Sequence, residues 1–355
     1  MEVTYEKILQ ALSHVIEPDL KKDIIALDLV SNIEYQGGVV RFDLKISNPA
    51  LHNRKRIEEA CEHQLKRFLG AEVKMEAKIT AMGKAHERKP QHRTVLPGVK
   101  HIIAVASGKG GVGKSTVAAN LAAGLAKKGY EVGLIDADIY GPSIPAMFDV
   151  NQEKPSTIKI NDKEYIKPVE SYGVKMLSIG FFATPDQAAV WRGPMATKAL
   201  TQLFNDAYWG ELDYMVVDLP PGTGDVHLTL VQQIPLTGVV LVSTPQEIAL
   251  VDVRKAIAMF NMPQINIPIL GLVENMAYFS PEELPDKKYY IFGESGAKEL
   301  AKKMEINYLS EIPIVQSIRE AGDIGRPAVL QKNTKLSKVL NNFVEETVNS
   351  VKKQK

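Results

Sequence analysis

The ten residues Ser107-Gly-Lys-Gly-Gly-Val-Gly-Lys-Ser-Thr116 constrain this chain more than any other stretch. They follow an apolar run, His101-Ile-Ile-Ala-Val-Ala106, and lead into small residues over 117–128 that read as a helix stopped at Gly129. Strand, glycine loop and helix, in that order, make a phosphate-binding loop. Gly108, Gly110, Gly111 and Gly113 let backbone N–H groups, that of Val112 among them, turn inward around a polyphosphate. The helix N-terminus adds its positive dipole end. Lys114 is expected at the β/γ-phosphate oxygens and Ser115 on Mg2+, with Lys109 and Thr116 completing the nucleotide contacts.

From His101 onward, apolar strands alternate with helices, the pattern of a mostly parallel sheet covered by helices on both faces. Candidate strands are 101–106, 132–136, 174–179, 214–218, 238–243, 269–273 and 307–309. The expected fold class is therefore an α/β P-loop NTPase domain over 100–355. A smaller α+β unit precedes it over 1–80. There, Ile8, Leu12, Val15 and Ile16 recur at helical spacing, and 24–33 and 39–46 read as strands around the Gly37-Gly38 turn. Ile57, Cys61, Leu65 and Phe68 line one face of a helix over 53–69, and 71–80 supplies another strand. Residues 81–99 read as a basic linker without apolar period. His86 and His92 within it lack the cysteine or carboxylate company of a metal site.

Functional residues in such sheets gather where strands end. Val132-Gly-Leu-Ile-Asp-Ala-Asp138 ends a strand with two carboxylates, Asp136 and Asp138. One can orient water for in-line attack on the γ-phosphate, the other support the Mg2+ shell. Tyr214-Met-Val-Val-Asp-Leu-Pro-Pro-Gly-Thr-Gly-Asp225 ends a strand in Asp218, placed to hold Mg2+ opposite Ser115. Its Pro220-Pro221-Gly222 step is the expected switch, with the Gly222 N–H approaching the third phosphate. Asn275, at the end of Ile269-Leu-Gly-Leu-Val-Glu-Asn275, and Pro313, within Ile312-Pro-Ile-Val-Gln316, are candidates to wall and hydrogen-bond a purine.

The remaining bulk properties exclude other classes. A net charge of +1 over 355 residues gives no general electrostatic case for nucleic acid or an anionic membrane. A single cysteine, Cys61, permits no intramolecular disulfide. The first residues, Met-Glu-Val-Thr-Tyr-Glu, have no basic or apolar leader character, and no apolar run approaches the ~20 residues that span a bilayer. The expectation is a cytoplasmic protein without membrane or nucleic-acid partners.

The combination Lys109-Gly-Gly-Val-Gly-Lys-Ser-Thr116, Asp136-Ala-Asp138 and Asp218-Leu-Pro-Pro-Gly-Thr-Gly-Asp225 resembles the deviant-Walker ATPases. These include cell-division and partition ATPases, nitrogenase iron protein and iron–sulfur carriers. The resemblance implies a nucleotide-sandwich homodimer in which Lys109 reaches the partner's phosphates, acting as an arginine finger does. It also implies that Asp138 is the water-orienting residue and Asp136 the one behind the Mg2+ shell. Within the superfamily the chain is most similar to the Mrp/ApbC-type iron–sulfur carriers. That likeness is carried further by Asp136-Ala-Asp-Ile-Tyr-Gly-Pro-Ser-Ile-Pro145, Trp191-Arg-Gly-Pro-Met195, Glu274-Asn-Met276 and Arg319-Glu-Ala-Gly-Asp-Ile-Gly-Arg-Pro327. Residues 1–80 resemble the small iron–sulfur-assembly domain fused in front of many bacterial members. Implied partners are iron–sulfur scaffold and recipient proteins.

The chain departs from that family at the cargo site. Members commonly carry Cys-x-x-Cys between the Glu-Asn-Met segment and the next Ile-Phe-Gly. Here that interval, Ala277-Tyr-Phe-Ser-Pro-Glu-Glu-Leu-Pro-Asp-Lys-Lys-Tyr-Tyr290, has no cysteine, and Leu51-His52 stands where the appended domain often has Cys-Pro. A [4Fe–4S] cluster normally takes four thiolates, whereas a dimer of this chain owns two, both Cys61. The expected function is an ATP-hydrolysing, Mg2+-dependent iron–sulfur carrier whose cluster-binding mode is altered, transient or lost. Two alternatives are an ATP-switched adaptor of iron–sulfur assembly that binds no cluster, and a spatial organiser of the cell-division type. For the last, the tail is the discriminating feature: Leu336, Val339, Leu340, Phe343, Val344 and Val351 form an apolar stripe, which reads as a terminal helix packed on its own domain.

Overall fold

The structure, a computed structural model, describes residues 3–17, 22–27, 29–46, 51–81, 95–182, 193–281, 283–284 and 286–354. The chain forms two compact units, Met1–Arg93 and Thr94–Lys355. Residues 82–94, and with them His86, His92 and most of the expected linker, lie outside the described residues, and strand structure already begins at Val99.

The first unit runs α1 (Tyr5–Leu12), β1 (Val30–Gln36), β2 (Val39–Ile46), α2 (Leu51–Leu69) and β3 (Lys74–Ala81). Its sheet has the order β1-β2-β3, antiparallel across the Gly37-Gly38 turn and parallel between β2 and β3. The alternation read in 39–46 is real: Val40, Phe42, Leu44 and Ile46 point into a core shared with Ile8, Leu12, Ile57, Cys61 and Leu65. The strand expected over 24–33 is displaced. Residues 24–27 form a turn held by the Asp23 carboxylate, which accepts from the Ala26 N–H at 2.7 Å, and the strand runs from Val30 to Gln36. An aspartate ahead of a short apolar run favours such a local turn over a ladder.

The second unit contains β4 (Val99–Ser107), α3 (Lys114–Lys127), β5 (Val132–Asp136), α4 (Ile144–Met147), β6 (Ser156–Ile160), β7 (Lys163–Lys167), β8 (Val169–Ser171) and β9 (Val174–Ser178). It continues with α5 (Gly193–Asn205), β10 (Leu212–Asp218), α6 (Asp225–Gln233), β11 (Gly238–Ser243), α7 (Glu247–Phe260), β12 (Ile269–Phe279), α8 (Gly296–Lys303), β13 (Tyr308–Ile314), α9 (Gln316–Asp323) and α10 (Lys335–Lys352). An eight-stranded sheet of order β13-β12-β11-β4-β10-β5-β9-β8 forms its centre. All neighbouring pairs are parallel except β8 with β9, which confirms the expected α/β architecture.

Near-continuous apolarity along β4 follows from burial on both faces. Ile103 and Val105 enter a core with α3 and α10, while Ile102, Ala104 and Ala106 enter another with α5, α6, α7 and α8. The stripe on α10 is spent in the first of these: Leu336, Leu340, Phe343, Val344 and Val351 are buried there and Val339 packs against it. That helix keeps no free apolar face. Among the described residues no helix is long and apolar enough to cross a membrane.

Candidate nucleotide site

Three neighbouring strands, β4, β10 and β5, end side by side. In register, Asp218 lies opposite Val105 on one side and Asp136 on the other. The loop 108–113 leaves β4 and returns at Gly113, which caps α3 with φ of 81°. A side chain there would be strained by the left-handed backbone, and its Cβ would strike Asn275 Nδ2. The first turn of α3 then supplies Lys114, Ser115 and Thr116. Together these surround a hollow of about 240 Å3 lined by Gly110, Gly111, Lys114, Ser115, Asp138 and Pro221, among others. Whole-ligand pockets run to roughly 300–1,000 Å3, so this one matches the polyphosphate end of a nucleotide.

Lys114 is 6% exposed, and its ammonium lies 2.6 Å from Asp218 Oδ1, 3.5 Å from Asp138 Oδ2 and 3.4 Å from Ser115 Oγ. A charge so buried has to be paired. Burial pushes the Asp218 carboxyl up from its ordinary range, while Lys114 and a hydrogen bond from Ser115 pull it back. Its second oxygen, Oδ2, is buried with no partner among the described residues. A buried carboxylate oxygen without a protein partner beside a serine hydroxyl is the donor set that a hard cation takes, so Asp218 and Ser115 fit Mg2+. Asp138 lines the hollow and accepts from the Tyr140 N–H at 3.3 Å.

The other expected residues sit differently. Asp136 is fully buried, and its oxygens are taken by the protein: Oδ1 by the Asp138 N–H at 3.2 Å, Oδ2 by the Ile144 N–H at 3.2 Å and the Ser178 hydroxyl at 2.9 Å. Burial, and then the Asp218 charge, push its carboxyl upward. These contacts make Asp136 a brace for the turn that presents Asp138. The Asn275 amide donates to the Val112 carbonyl at 2.9 Å, so it supports the loop from below. Pro313 is buried in β13 next to Ile312, the register partner of Asn275, and neither Asn275 nor Pro313 lines the hollow. The Gly222 N–H, expected at the third phosphate, instead donates to the Ser107 carbonyl at 3.0 Å. Lys109 is partly exposed, its carbonyl accepts from the Ser107 hydroxyl at 2.9 Å, and its ammonium is in no ion pair among the described residues. Trp191 and Arg192 lie outside the described residues.

Two participants escaped the sequence reading. Ser178 ends β9 and could have been found by the strand-end rule. His227 in α6 donates to the Pro220 carbonyl, and no sequence pattern marks it.

The described residues of the 277–290 interval pair with one another and with neighbouring elements. β12 runs on to Phe279, whose N–H and carbonyl both bond Tyr289, at 2.9 and 2.8 Å. The Lys288 ammonium stands 3.8 Å over the Tyr278 ring and 2.9 Å from Glu311. Of the acids in this stretch, Asp286 pairs with Lys335 at 3.3 Å, and Glu282 lies outside the described residues. Cys61 is fully buried in the first unit's core, where burial pushes its thiol up to about 12. Among the described residues no group of three or more His, Cys, Asp or Glu is placed to hold a metal ion. The side chains described do not fit an iron–sulfur cluster.

Comparison with known proteins bears on both units. A model of the NUBPL iron-transfer P-loop NTPase family matches residues 98–348, and one described as an iron–sulfur cluster assembly protein matches residues 5–76. An iron–sulfur cluster carrier protein of Synechocystis is 42% identical over 330 residues, covering 93% of this chain and 92% of its own. One of Aquifex aeolicus is 50% identical over 267 residues, 72% of this chain and 71% of its own. A solved nucleotide-binding protein from Archaeoglobus fulgidus, in complex with ADP, superposes with a TM-score of 0.59 at 40% identity, over 68% of this chain and 92% of that one. A phosphate loop closed by three strand ends and these two family matches agree: the chain belongs to the iron–sulfur cluster carrier family of P-loop NTPases.

Proposed function

We propose that this chain binds and hydrolyses ATP with Mg2+ as a homodimeric member of the iron–sulfur carrier family, and that it handles cargo without the family's cysteine pair. The observation that carries the ATP reading is the meeting of Lys114, Ser115 and Asp138 around one hollow, with Asp218 paired to Lys114 behind them, at three adjacent strand ends. Phosphate entry exchanges the carboxylate partners of Lys114 for β/γ-phosphate oxygens, a charge-assisted contact of similar strength. Ser115 and Asp218 would hold Mg2+, which supplies charge neutralisation at the phosphates. Asp138, freed from Lys114, accepts a proton from the attacking water. Lys109, whose ammonium is in no ion pair among the described residues, is assigned to the partner's phosphates in the dimer. Lys114→Ala should lower ATP turnover by about 100-fold or more, because it removes the charge at the reacting phosphates. Hydrolysis at the parental rate by a purified Lys114→Ala protein would refute the assignment.

One observation favours a second reading, an ATP-switched adaptor of iron–sulfur assembly that holds no cluster. The sole cysteine is buried with its thiol pushed to about 12, so it offers almost no thiolate at neutral pH. Anaerobic reconstitution with iron and sulfide, followed by gel filtration, discriminates the two. The adaptor reading expects less than one cluster per dimer in the parent. A stoichiometric cluster that also survives in Cys61→Ser would mean ligands other than cysteine and would eliminate it.

A further inference from the structure

We propose that His227 is a positioning residue for the nucleotide switch. Its Nδ1–H, bonded to the Pro220 carbonyl, is the pivot that makes helix α6 follow segment 219–222 when the third phosphate of ATP draws that segment in. The inference rests on the ATP reading above and adds an element that moves with it.

Segment 219–222 has few ways to be held. Pro220 and Pro221 have no N–H to give. The Leu219 N–H donates to the Val105 carbonyl at 3.0 Å and the Gly222 N–H to the Ser107 carbonyl at 3.0 Å, so both ends are tied to β4. Between them the Pro220 carbonyl points away and meets His227 Nδ1 at 3.1 Å. A carbonyl only accepts, so Nδ1 carries the proton. The ring is neutral, since burial holds it well below its ordinary range, and its Nε2 is then a bare lone pair. His227 is 2% exposed, Nε2 has no partner among the described residues, and the ring meets Phe260 of α7 edge-on at 5.8 Å. The bond to Pro220 is therefore the one described hydrogen bond of this imidazole.

That arrangement decides how the segment can move. For the Gly222 N–H to reach a phosphate it must leave Ser107, the last residue of β4 before the phosphate loop. Two prolines in succession have both φ angles locked, so the step between them swings as a unit. The rotation falls on Gly222, whose φ of 84° is open to glycine, and on the carbonyl held by His227. If α6 stayed behind, a fully buried imidazole would be left with both nitrogens unbonded, a condition that folded proteins avoid. So α6 moves with the segment. The motion passes on to α5, whose Leu200 and Leu203 share a core with Leu230 and Val231 of α6.

The test is amide hydrogen exchange over 225–233 in the full chain with Mg-ADP and with Mg-ATPγS, for the parent, His227→Asn and His227→Phe. Binding of a fluorescent ADP is measured alongside. Asparagine keeps an N–H where Nδ1 stood, and phenylalanine keeps the ring without it. The parent and His227→Asn should show exchange that differs by about threefold or more between the two nucleotides. His227→Phe should exchange alike with both while binding ADP within about twofold of the parent. A difference preserved in His227→Phe, or lost equally in His227→Asn, overturns the proposal. So does a parent that binds both nucleotides and exchanges identically with each. Failure of the parent to bind either nucleotide would instead remove the ATP reading, and the switch with it. Should His227→Phe not fold, long-range 1H–15N spectra of the parent decide. A protonated Nδ1 and bare Nε2 whose shifts differ between ADP and ATPγS support the pivot, and identical spectra overturn it.

Discussion

Lys114, Asp138 and Asp218 form a buried charge triad in which the lysine is flanked by two acids. Such a group is stable only while every charge has a partner, so its carboxylates can give way to phosphate oxygens of the same sign. His227 makes the opposite choice, remaining neutral in the core with its titration lowered to about 4, through burial first. The unfolded chain binds the proton at its ordinary value of about 6.5, so between about 6.5 and 4 the unfolded state carries more protons than the folded one. The stability that His227 contributes is complete above pH 6.5 and is lost as pH falls toward 4, by up to about 3 kcal/mol. Denaturant titrations at pH 7 and pH 4.5 should therefore show a larger loss for the parent than for His227→Asn, which has nothing to protonate there. Equal losses would mean that the imidazole titrates normally.

At the scale of elements, the phosphate loop is held from outside itself. Its Val112 carbonyl is bonded by Asn275 from β12, and a Cβ on Gly108 would overlap the backbone of Asp252 and Val253 in α7. Gly113→Ala tests how tight this is. The new methyl meets the Asn275 amide in a backbone region that alanine resists, so the loop must shift or Asn275 must give up Val112. The expected result is a loss of ADP affinity of about tenfold or more, roughly 1.4 kcal/mol. Calorimetric titration with ADP at parental affinity would show that the loop has room to spare.

For the whole molecule, the question is whether one copy is enough. Lys109 stands in the phosphate loop, its own chain offering its ammonium no ion pair among the described residues. If it serves a partner's site, Lys109→Ala and Asp138→Ala damage different halves of each site. A mixed dimer then holds one site with both groups intact. Equal mixing after subunit exchange should restore about a quarter of parental turnover, since half the dimers are mixed and each has one sound site. Demonstrated exchange without any recovery would place Lys109 in its own site or in none.

The phosphate loop, the strand ends at Asp136 and Asp218, the parallel sheet and the absence of ligating cysteines were all legible in the sequence. Each is a local pattern: glycine spacing, an apolar run closed by an acid, alternation of strand and helix, a missing residue type. The partners those residues chose were not legible. That Asp136 would be consumed by Ser178 and Ile144, that Asn275 would prop the loop through Val112, and that Gly222 would donate to Ser107 depend on strands remote in sequence lying side by side. His227 shows the difference most plainly. Nothing near it in the chain distinguishes it from a core residue, and only folding, which turns the Pro220 carbonyl inward and leaves that oxygen needing a donor, gives it a task.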